Sequence, residues 1–133
     1  MISYALDTNT VTYFLKGNNT ISDRIIKETD KKNSIIIPPI VFFEVKRWLL
    51  TINSARKLEF FEALCSKAGI QPMDRIILEE ASEIFSNLQK KGIKVGDNDI
   101  LIAAYCIHNN LTLVTNNERH FKSIENLTTV NWL

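Results

Sequence analysis

Short apolar runs alternating with longer helical patterns are the feature that most constrains this chain. Strand-like runs lie at Ser3 to Leu6, Ser34 to Ile37, Gly69 to Met73, Leu111 to Thr115 and Thr128 to Asn131. Helical patterns fall at Thr10 to Lys16, Ser22 to Thr29, Pro39 to Ile52, Ala55 to Ala68, Asp74 to Lys91 and Asp97 to Asn109, and residues 38 to 68 hold no strand. Parallel strands cannot be joined by a tight turn and need a crossover, usually a helix. The alternation therefore implies an α/β fold with a parallel sheet. A chain of 133 residues, 45% hydrophobic and 23% charged, is enough for one domain with a real core, spanning residues 1–133. No repeat, linker or low-complexity stretch divides it.

Sixteen basic and fifteen acidic residues give a formal charge of +1, so no global field draws in a polyanion and any nucleic-acid contact must be local. Cys65 and Cys106 sit among helix-forming residues, which suits buried thiols better than a disulfide framework or a metal pair. The N-terminus lacks a basic lead-in and carries Asp7 where a secretory signal needs its apolar region, and no run approaches about 18 apolar residues. A soluble, cytoplasmic protein away from membranes is expected.

The informative polar residues are acids at breaks in the apolar pattern. Asp7 ends the run Ile2-Ser3-Tyr4-Ala5-Leu6 and precedes Thr8-Asn9-Thr10. That places a carboxylate at the rim of a sheet, where open α/β folds hold ligands. Asp7 could instead cap the following helix, but Thr8 or Asn9 could also serve as cap, which favours a functional role. Glu44 falls in a helix with Ile40 and Val41 one turn before and Trp48 one turn after, so an unpaired charge there is costly. Either Arg47 at i+3 or a bound cation would remove the penalty. In Gly96-Asp97-Asn98-Asp99, Asp97 is expected as the helix N-cap or an outer acid, and Asp99 as the site acid in the first turn.

The stretch Thr115-Asn116-Asn117-Glu118-Arg119-His120 follows an apolar run and reaches the same edge as Asp7 if that strand is parallel to the first. Asn117 and Glu118 could equally be loop and cap residues. His108 and His120 lack ligand spacing and read as surface or structural. Two like charges 4 Å apart cost about 4 kcal/mol at an effective dielectric near 20, so clustered carboxylates call for a divalent cation. All-oxygen donors indicate Mg²⁺ or Mn²⁺ rather than zinc.

Taken in order, Leu6-Asp7-Thr8-Asn9, Glu44 after Pro38-Pro39, Gly96-Asp97-Asn98-Asp99-Ile100-Leu101-Ile102-Ala103-Ala104, Leu113-Val114-Thr115-Asn116-Asn117 and Val130-Asn131-Trp132 resemble a PIN domain. The likeness is to VapC-type toxins of bacterial toxin and antitoxin pairs, and it spans almost the whole chain. It implies a central parallel sheet of four to five strands flanked by helices. It also implies a metal-dependent endoribonuclease, with transfer RNA as its target by analogy, held inactive by a cognate antitoxin and assembled as a homodimer. Asp7, Glu44 and Asp99 match the family's acidic positions, with Asp7 and Asp99 as principal Mg²⁺ ligands and Glu44 binding a second metal or positioning water. The family's usual fourth acid is replaced: Asn117 and His120 stand at its approximate positions, with Glu118 slightly out of register. Thr8, Asn9, Asp97, Thr115 and Asn117 could orient ligands by hydrogen bonding. Lys46, Arg47, Lys94 and Arg119 are candidates for the RNA backbone.

Two rivals are weaker. A haloacid-dehalogenase-type phosphatase also has a strand followed by Asp but needs a second acid two residues on, where Asn9 stands. A receiver-like binding module leaves Glu44 unexplained.

Overall fold

The computed structural model describes residues 1–133. Four strands, β1 (Ser3–Leu6), β2 (Ser34–Ile36), β3 (Thr112–Val114) and β4 (Thr129–Val130), form one sheet in the order β2-β1-β3-β4. Every pairing is parallel, as the alternating pattern requires. Seven helices connect or flank them: α1 (Thr8–Leu15), α2 (Asn19–Asp30), α3 (Pro39–Ile52), α4 (Ala55–Lys67), α5 (Arg75–Lys90), α6 (Asp97–His108) and α7 (Glu118–Phe121).

The strand order positions the site. From β1 the chain goes to one side to make β2 and later returns to the other side to make β3, so the crossovers diverge at β1. Open parallel sheets form a crevice at such a reversal, beyond the carboxyl ends of the strands. Asp7 follows β1 at that point and Thr115 follows β3 beside it, with Asp7 N donating to Val114 O at 3.1 Å.

The helices follow from their local chemistry. Pro39 opens α3, where a missing N–H costs nothing, and Asn53 ends it in the left-handed region at φ 53°. Ser54 Oγ and Asp74 Oδ1 accept from the third residue of α4 and α5, while Asn18 caps α2, which starts at Asn19 rather than at Ser22. In α6, Ile100, Ile102, Ala103, Ala104, Tyr105 and Cys106 are all buried. A helix apolar on nearly all sides must lie inside, and α6 packs among the sheet, α3 and α5.

The run Gly69 to Met73 is not a strand. Gly69 makes one isolated parallel bridge to Ile36, with Gly69 N donating to Ile35 O and Ile37 N to Gly69 O. Pro72 has no N–H to continue a ladder, and Gln71 is tied instead to the Tyr105 hydroxyl through both its N–H and C=O at 3.1 Å. The sheet therefore has four strands. Cys65 and Cys106 are free thiols, and burial pushes the Cys106 thiol up to about 12.

Candidate active site

Asp7 lies at the start of α1 and is only 6% exposed. Its Oδ1 accepts from Thr10 N at 2.8 Å, so it is the N-cap of α1. The expectation that Thr8 or Asn9 would relieve it of capping is thus overturned. The helix begins at Thr8 because the carboxylate leaving the strand already reaches back to the N–H three residues on. Capping engages one oxygen and neutralises nothing. Burial raises the Asp7 pKa, hydrogen bonding from Thr115 and Thr10 opposes the rise, and the charge of Asp99 adds to it. No Lys or Arg pairs with it.

Asp99 stands in the first turn of α6, half-buried, with its Oδ2 2.7 Å from His120 Nε2, close enough for the imidazole to donate. The expected cap role of Asp97 does not hold. Gly96 occupies the cap position, with extended backbone and no side-chain cap bond, and Asp97 is an exposed first-turn residue. That shift of one position follows from Gly96 taking the extended conformation which the N-cap requires.

Glu44 sits in the second turn of α3 with its side chain 19% exposed. Its Oε1 accepts from Thr8 Oγ1 at 2.8 Å and its Oε2 from Asn98 Nδ2 at 3.1 Å, while Arg47 Nη2 lies 3.8 Å from Oε2. Of the two partners anticipated for this acid, Arg47 or a bound cation, Arg47 is in place at i+3. Thr8 is next to Asp7 in the chain and Asn98 is next to Asp99. Glu44 is therefore strapped between the two helix N-termini that carry the other acids.

Thr115 is completely buried, and its Oγ1 accepts from Asn117 N at 3.0 Å. Asn9 and Asn117 are exposed. Glu118 accepts from Thr129 Oγ1 at 2.9 Å, which turns it toward β4, so of the three residues near the missing fourth acid it is His120 that touches Asp99. His120, expected from its lack of ligand spacing to be a surface or structural residue, is thus in direct contact with Asp99, whereas His108 pairs with Glu80 across α5 and α6. Among the cations, Lys46 is tied to Glu62 at 2.6 Å and Arg47 lies over the Phe43 ring, while Lys94 and Arg119 line a groove with His120. The contacts of Asn98 with Glu44 and of His120 with Asp99 were not anticipated from the sequence. Asn98 is an exposed polar residue between two acids, and His120 comes from a four-residue helix whose packing no periodicity announces.

No three acid, histidine or cysteine side chains converge closely enough to hold an ion by themselves. The donor set nevertheless fits a divalent cation. A buried carboxylate without a cationic partner, beside a second carboxylate, lacks counter-charge, and Mg²⁺ typically takes one or two carboxylates and completes its shell with water and phosphate.

The model of the PIN domain family matches residues 4–127. The chain belongs to the PIN-domain family, in its VapC-type ribonuclease branch. This PIN domain is 32% identical over 133 residues to Ribonuclease VapC2 of Rickettsia felis, with 97% of each chain covered. It is 27% identical over 135 residues to a tRNA(fMet)-specific endonuclease VapC of Salmonella typhimurium, with 99% of each covered. Its fold matches the crystal structure of VapBC2 from Rickettsia felis bound to a promoter DNA fragment, with a TM-score of 0.89 and 30% identity over 99% of this chain and 100% of that one. DNA-bound VapBC from Salmonella typhimurium matches with a TM-score of 0.87 and 27% identity over all of both chains.

Proposed function

We propose that this PIN-domain ribonuclease is the toxin of a toxin and antitoxin pair, a divalent-metal-dependent endoribonuclease with Asp7, Glu44 and Asp99 as its catalytic carboxylates. One observation carries the site assignment: Asp7 is buried at the switch point of the sheet with its charge uncompensated, beside Asp99. Asp7 and Asp99 would hold Mg²⁺ or Mn²⁺, and Glu44 would orient the attacking water or assist a second ion. When bound, the cation eases deprotonation of water near neutral pH and offsets charge building on the phosphoryl oxygens.

The chain's own residues preset this arrangement. The Thr10 N–H fixes one oxygen of Asp7. Thr8 and Asn98 each fix one oxygen of Glu44. His120 holds Asp99 Oδ2, standing where the family usually supplies a fourth acid. Hydrolysis then needs no nucleophile from the protein, and the Cys106 thiol is sealed in the core with its pKa raised.

RNA is the substrate, with transfer RNA favoured by the name of the Salmonella relative. A cognate antitoxin is the partner, as in the VapBC structures that this chain resembles, and the toxin assembles as a homodimer in the cytoplasm. No helix is long and apolar enough to cross a membrane. The test is incubation of the purified chain with transfer RNA in Mg²⁺, in Mn²⁺ and in EDTA, with the new RNA ends mapped. Metal-dependent cuts at defined positions that vanish in Asp7→Asn and Asp99→Asn support the reading. Cleavage that persists in either folded variant overturns the site.

A further inference from the structure

Beside the acids runs an open groove of about 620 Å³ lined by Lys94, Arg119, Lys122, Asn117 and His120. Lys94 comes from the loop before α6, and the other residues come from α7 and its flanks. No acid lines the groove, and none of its three cations takes part in an ion pair, whereas Arg24, Lys31, Lys46, Arg47 and Arg75 all do. His120 belongs to the groove wall and also touches Asp99, so the cations lead directly to a site carboxylate. In a chain of net charge +1, a local array of unneutralised cations is what can hold a polyanion. Lys and Arg are the side chains that neutralise phosphates along a nucleic-acid backbone.

We propose that this groove is the track for the RNA backbone, with Lys94, Arg119 and Lys122 taking phosphates next to the one cleaved. The inference rests on the nuclease reading above and adds Lys122 as a substrate contact. A second basic groove, of about 370 Å³, provides an internal control: Lys16, Arg56 and Lys57 line it with Phe14 and Phe60, and none of the site acids reaches it.

The experiment measures fluorescence anisotropy of labelled transfer RNA against the full-length Asp7→Asn protein, alone and combined with K94Q/R119Q/K122Q or with K16Q/R56Q/K57Q, over a range of salt. Circular dichroism checks that each variant is folded. The first triple is expected to weaken binding roughly tenfold or more and to flatten the slope of log affinity against log salt by about 2, as loss of three phosphate contacts implies. The control triple should leave both near the parent values. In the cleavage-competent background, the first triple should raise KM far more than it lowers kcat.

Equal weakening by both triples overturns the proposal, because binding would then track bulk charge. Unchanged affinity and slope in the first triple, with wild-type cleavage intact, overturns the track and spares the nuclease. Unchanged RNA affinity with loss of the copurifying antitoxin also overturns it and makes the groove a protein-docking surface. Absence of cleavage by the wild type counts against the proposed function, and the anisotropy series still decides the groove.

Discussion

Two carboxylates are shielded from solvent in this molecule, Asp7 at 6% exposure and Glu28 at 2%, and they are treated in opposite ways. Burial also works to raise Glu28, but Asn33 donates to its Oε1 at 3.1 Å and the charges of Arg24 and Lys31 lie beside its Oε2, so its pKa ends below the usual carboxylate range. Asp7 has a cap hydrogen bond and no cation, and its pKa ends above that range. A buried acid surrounded by its own counter-charges belongs to the architecture. One left in deficit beside a second acid is, on the function proposed above, where an external cation would complete the charge balance.

Asp7→Asn is the sharpest break in that comparison. It keeps the cap, since Asn serves that position as well as Asp, and removes the charge. Cleavage of RNA should fall by at least about a hundredfold, the scale of losing a key electrostatic contribution, while the metal-free melting temperature rises above wild type. Rates and thermal melts on one preparation check both. Asp99→Asn should cost about as much activity, whereas Asp97→Asn, an exposed change at a position that caps nothing, should cost less than about threefold by the usual weight of surface groups. Parallel assays of the pair decide the register.

Removing the imidazole in His120→Ala leaves Asp99 without its only side-chain partner. The expected loss is about 10- to 100-fold in metal affinity, as for other groups that orient a ligand, read by Mn²⁺ titration calorimetry. Glu28→Gln should do the reverse of Asp7→Asn: lower stability by about 1–3 kcal/mol, the scale of breaking a charged buried hydrogen-bond set, with kcat per folded molecule unchanged. Urea unfolding and active-site-normalised rates test it.

The smallest effect is in pH. The lowered Glu28 pKa gives stability that is full above its unfolded value of about 4.3 and is lost as pH falls through the folded value. The raised Asp7 pKa gives stability present below its unfolded value of about 3.9 and lost as pH rises through the folded value. Without metal, the melting-temperature advantage of Asp7→Asn over wild type should therefore grow from acid toward neutral pH, as should the deficit of Glu28→Gln. Scanning calorimetry across that range reads both.

The sequence made Asp7 and Asp99 legible for a local reason, since each acid sits where an apolar run meets a helix start. The parallel sheet was legible too, because strand-length runs alternated with helix-length ones. Glu28 went unnoticed: Arg24 and Lys31 are visible at helical spacing, but nothing local shows that α2 turns this face inward against Tyr4 and β2. The contact of His120 with Asp99 was hidden for the same reason, as it joins residues from two helices through tertiary packing. The run from Gly69 failed as a strand because Pro72 and the Tyr105 hydroxyl divert the backbone. Local grammar exposes groups placed by element ends, and hides those placed by tertiary packing.

The claim that Asp7 is left in deficit to receive a cation is tested most directly by calorimetric titration of Mn²⁺ into metal-free wild-type, Asp7→Asn and Glu28→Gln proteins. The account predicts saturable binding to wild type and Glu28→Gln with closely similar affinity, and at least about a hundredfold weaker binding to Asp7→Asn, the order expected when a carboxylate ligand loses its charge. Equal binding by wild type and Asp7→Asn, or no saturable binding to the wild type, would contradict it.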